Sequence, residues 1–229
     1  MTTGFQFSIK DASRLLFALI FFEMCLVLIY SMDFYLGMPR PIHRVFNLDG
    51  EATIPAWFSS VQLLLIGILF LFSAHWPKRY LIVNPRFLLV VGIAFVFLSM
   101  DETAVLHEKV GSTLMHIKWV PIFKGIWILT YFSIAVMIAI TGRHTIKSML
   151  NAYPRQVLIM FSGLIVLLIG AVGMEIIMYV YLQGMEGQLL YIVEVALEEF
   201  FEMAGASIIL YGVILCALRE PEALETEHQ

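Results

Sequence analysis

Charge is what this chain has least of. Only 14% of its 229 residues are Asp, Glu, Lys or Arg, while 60% are hydrophobic. Soluble domains carry about 25% charged residues, so this composition excludes one and indicates a polytopic membrane protein. Cysteine is nearly missing too. Cys25 and Cys216 both lie in apolar segments, which argues against a structural disulfide and fits no metal-ligand pattern. The glycines form no phosphate-cradling motif, and neither low-complexity sequence nor a fixed-period repeat is present. No small-residue cleavage site follows Lys10 and Arg14, so the first apolar run reads as an uncleaved anchor.

What the chain has instead is length of apolar run. Six segments, near 13–35, 52–74, 87–108, 119–141, 156–182 and 189–218, are long enough to cross a hydrocarbon core of about 30 Å. The expected fold is an all-α bundle of six transmembrane helices forming one domain over 1–218, with an acidic tail at 219–229. Basic residues set the orientation. With the N-terminus inside, Lys10, Arg14, Lys78, Arg79, Arg86, Arg143, Lys147, Arg155 and Arg219 fall on the inner side. The outer loops then hold Arg40, Arg44, Lys109, Lys118 and Lys124, and the expectation is that both termini are cytoplasmic in a bacterial inner membrane. Trp57 and Trp119 mark outer span ends and Trp76 an inner one.

The acids of the second to sixth spans then fall in the outer half only. Glu51 starts the second span, Asp101, Glu102, His107 and Glu108 end the third, Glu175 is near the outer end of the fifth, and Glu194, Glu198, Glu199 and Glu202 fill the outer half of the sixth. Glu194, Glu198 and Glu202 are spaced i,i+4 and stack along about 12 Å of helix, with Glu199 about 100° away. Asp101 and Glu108, seven apart, share a face of the third span, and His107 joins them only if the helix loosens near Gly111. Carboxylates this close repel, and with no intramembrane Lys or Arg in the outer half, protons or a cation must sit among them.

Three readings follow: a metal site, a proton or ion pathway, and neutral hydrogen-bonded acids with a structural role. In the first, Glu194, Glu198, Glu202, Asp101, Glu175, His107, Glu108 and Glu51 are the candidate ligands, and Glu102 and Glu199 the candidate acid/base groups. Oxygen with one or two imidazoles suits iron, manganese or zinc, and all-oxygen ligation suits calcium. Carboxylate-bridged helical bundles use a Glu-x-x-His spacing that the apolar spans of this chain lack. His43 and His116 are loop imidazoles with no pattern tying them to the site. Glu51 fits the first turn of its helix equally well, where the macrodipole favours an acid. Glu23, midway along the first span, stands isolated in sequence, as a hydrogen-bonded group or a step on a proton route.

The stretches GEATIPAWFSS, SMDETAVLHE and LEEFFEMAGA together resemble an uncharacterised group of bacterial multi-spanning membrane proteins, a resemblance that covers the second, third and sixth spans and implies no activity. A weaker similarity is to the alkaline ceramidase superfamily of membrane metal hydrolases, with a Glu before Trp and Ser in an early helix and an Asp-Glu pair in the next. Zinc in that superfamily depends on histidines in the last helix, where this chain has none, so only the analogy of a metal enzyme in a small bundle carries over. The expected function is a metal-dependent membrane enzyme, a hydrolase or oxidase, acting on a lipid or other apolar substrate that enters from the bilayer. The rival classes are a cation or proton transporter or sensor, and an accessory subunit of a larger membrane complex. No nucleic-acid partner is expected.

Overall fold

A computed structural model describes residues 7–75, 83–106, 109, 126–185 and 187–219. His107, Glu108, His116 and the tail from 220 onward lie outside the described residues. Helix α1 (Ile9–Leu36) opens on a capping box in which the Ser8 hydroxyl accepts from the Asp11 N–H and Asp11 reaches back. It stops at Gly37, whose φ of 62° is the left-handed turn that a residue without Cβ adopts freely. The short α2 (Arg40–Phe46) precedes α3 (Ile54–His75) and α4 (Pro85–Ala104). Then come α5 (Ile126–Ala152), α6 (Pro154–Leu182) and α7 (Leu189–Leu218).

Six of these, all but α2, are long and apolar enough to cross a membrane, and the described residues contain no strand. Every expected span has its helix. The fourth differs most: it runs to Ala152 rather than ending near 141. A hydropathy reading stops at Arg143 and Lys147, but such residues are good helix formers, and the Ser148 hydroxyl donates to the His144 carbonyl inside the same helix. The third span stops earlier than expected, at Ala104, because Val105 takes a φ of 52° and donates its N–H to the Asp101 carbonyl. A β-branched residue in that conformation is strained, and such strain persists only where the surroundings impose it.

Helix α7 is the axis of the bundle. It packs against α1, α3 and the length of α6, and is the most buried of the six spans. The contact with α6 depends on glycines. A Cβ at Gly205 would come within 2.4 Å of the Leu167 nitrogen, and one at Gly170 within 2.7 Å of the Glu198 carbonyl. Small residues bring two backbones this close when lipid supplies no hydrophobic drive. Helices α3 and α4 pair similarly, with Ser60 donating to the Ser99 carbonyl at 2.8 Å.

Candidate acidic site

The four glutamates of α7 do not share one surroundings. Glu194 is only 3% exposed, and neither of its carboxyl oxygens has a hydrogen-bond partner. Glu198, Glu199 and Glu202 are half-buried. Close approach at Gly170 lays α6 directly over Glu198 and Glu202, so this face of the helix looks onto α6 rather than lipid.

Acids from three further elements come within electrostatic range. Glu175 of α6 acts on Glu194, Glu198 and Glu202. Glu102, near the end of α4, acts on Glu198, Glu199 and Glu202. Asp49, in the loop before α3, acts on Glu194, Glu198 and Glu199. Asp49 also accepts from the Tyr191 hydroxyl, at 3.2 Å and 3.1 Å, which ties that loop to the start of α7. Glu175 sits on one short α-helical stretch, Glu175–Ile177, between two π-helical ones, Ile169–Met174 and Met178–Leu182. Such widened turns are rare and frequent at functional sites.

Other expected members stand elsewhere. Asp101 is buried against α5, where the Tyr131 hydroxyl hydrogen-bonds to it, and Glu102 is the α4 acid that acts on the α7 stack. Glu51 is exposed and precedes α3, whose first turn has no acid. His43 pairs with Asp33 in the last turn of α1. His107 and Glu108, the other expected members from this span, lie outside the described residues, and the helix that carries Asp101 ends at Ala104.

Sequence reading missed Asp49. Its signal was present, as an acid at the same end of the bundle, but Asp-Gly before a span reads first as a turn. Among the described residues the ion pairs Arg14–Asp11 and His43–Asp33 both lie outside the cluster. No group of three or more His, Cys, Asp or Glu among them is gathered closely enough to hold a metal ion. The acids are strung along a helix rather than arranged around a point. Chemically, that arrangement concentrates negative charge in a place where water is scarce, and it can take up protons or cations.

Neither a curated protein nor a solved structure matches the chain. Residues 15–217, nearly the whole helical bundle, match the domain of unknown function DUF8692, and the chain belongs to that family.

Proposed function

We propose that the acidic end of the bundle takes up divalent cations, and that the protein is a cation transporter or sensor of the membrane. One observation carries this reading: Glu194, with both oxygens buried and unpartnered, in reach of Glu175 and Asp49. A lone ionised group there costs several kcal/mol. Glu198, Glu199 and Glu202 add repulsion, which an ion of charge two relieves more than two separated single charges do. Carboxylate oxygens along about 12 Å of helix suit ions that occupy successive positions. Their chemistry favours manganese, calcium or magnesium, and an imidazole would extend it to iron or zinc. With the basic residues inside, this end faces outward and draws cations from the exterior.

A metal-dependent enzyme is the second reading, favoured by the π-helical turns on either side of Glu175. It assigns Glu102 and Glu199 to acid/base work on an apolar substrate arriving from lipid, and it needs one caged ion. Metal analysis of the purified protein, followed by equilibrium dialysis against Mn²⁺, separates the two. Stoichiometric metal that survives purification supports the enzyme. Metal that binds only reversibly supports the transporter or sensor. Binding in neither experiment overturns both and leaves structural, hydrogen-bonded acids.

A further inference from the structure

A different carboxyl group lies deeper, outside the acidic cluster. Glu23, near the middle of α1, is completely buried, and so is Ser207 of α7; Gln62 of α3 is 2% exposed. Ser207 donates its hydroxyl to Glu23 Oε1 at 2.6 Å, and Gln62 Nε2 donates to the same oxygen at 2.9 Å. Gln62 Nε2 also lies 2.7 Å from Ser207 Oγ and 3.4 Å from the Met203 carbonyl. Three helices thus meet at one point through polar atoms alone. The network is nevertheless incomplete: Glu23 Oε2 and Gln62 Oε1 are both buried without any partner. Two orphaned oxygens at one junction are costly unless something positive or donating joins them.

We propose that Glu23, Gln62, Ser207 and the Met203 carbonyl form a mid-membrane site for a single sodium ion. Carboxylate, amide, hydroxyl and carbonyl oxygens are the ligand set of a hard cation. Half a turn of the Gln62 amide exchanges its NH₂ for its oxygen in the same place, and brings one orphan into the site. Oxygens held at about 2.4 Å from an ion lie about 3.4 Å apart at right angles, so the present 2.6–3.4 Å spacings open by up to about 0.8 Å to admit one. Charge selects valence. One carboxylate is neutralised by one single charge, whereas a divalent ion would leave an excess positive charge in hydrocarbon. Neither ion pair among the described residues involves Glu23.

This site is separate from the acidic cluster. Ser207 is five residues from Glu202, about 7.5 Å along the axis, and faces α1 and α3 where Glu202 faces α6. Leu26 and Met203, both fully buried, belong with Tyr30 to one apolar cluster beside the site. Sodium bound here would bridge α1, α3 and α7, so its occupancy couples to helix packing.

The test is equilibrium binding of ²²Na⁺ to the purified full-length protein, with choline chloride holding ionic strength constant. Saturable binding near one ion per chain is expected, weakened about tenfold or more in Glu23→Gln and retained in the Glu198→Gln/Glu202→Gln double variant. Ser207→Ala, a smaller change, is expected to weaken binding several-fold and decides the matter if Glu23→Gln does not fold. Absence of saturable binding overturns the proposal, as does binding that neither variant weakens. A melting temperature that follows pH but not sodium also overturns it, and assigns the junction to a proton.

Discussion

Glu194 is the residue on which the electrostatic account is most exposed to test. Its carboxyl makes no hydrogen bond, yet at 3% exposed it is as buried as the core residue Leu48. Methionine has nearly its volume and none of its polarity. Removing a buried, unsatisfied polar group recovers about 1–3 kcal/mol, so in metal-free buffer Glu194→Met is expected to melt several degrees higher than wild type. Metal binding should weaken in the same variant, the exchange of stability for function expected of an active-site residue. A lower melting temperature would mean that Glu194 is satisfied by something the residues around it do not supply. At this scale much was legible: the i,i+4 spacing alone gave the α7 stack. Asp49 was hidden by its turn context, and the partners of Glu23 by distance, since Gln62 and Ser207 are 39 and 184 residues away.

Among the elements, the pairing of α6 with α7 positions the acids, and it depends on where a side chain is missing. A methyl at Gly205 would strike the Leu167 backbone at 2.4 Å, where no rotamer change relieves the clash. Gly205→Ala is expected to destabilise by about 1–3 kcal/mol. At Gly173 the nearest atom to a new Cβ is 4.0 Å away, so Gly173→Ala should be neutral or stabilising by up to about 1 kcal/mol. Thermal melting of the two single variants checks the contrast, and equal effects would show that the close approach does not matter. Hydropathy revealed these helices because an apolar run of membrane length has few other solutions. It did not reveal the end of α4, since Val105 is among the last residues that propensity would place at a positive φ. Nor did it reveal the π-helical turns around Glu175, which leave no mark on apolar periodicity.

Across the whole molecule, the acids of α4, α6, α7 and the loop before α3 come within electrostatic range of one another, and the fully buried carboxyl of Glu23 lies near the middle of α1. The side that the acidic end faces follows from the basic-residue bias. Reporter fusions after Glu186 and after Gln229 are expected to report the outside and the inside respectively; swapped signals would reverse the proposed direction of cation entry, and matching signals would overturn the map of spans. The claim that the cluster binds divalent cations is tested most directly by melting the intact protein while titrating Mn²⁺. A ligand that binds only the folded state at a hundred times its Kd adds about 2.7 kcal/mol. That predicts a rise of roughly 5–10 °C in wild type, reversed by chelator, and little or none in Glu198→Gln/Glu202→Gln. Equal melting of both proteins at every manganese concentration, with or without chelator, would contradict the account.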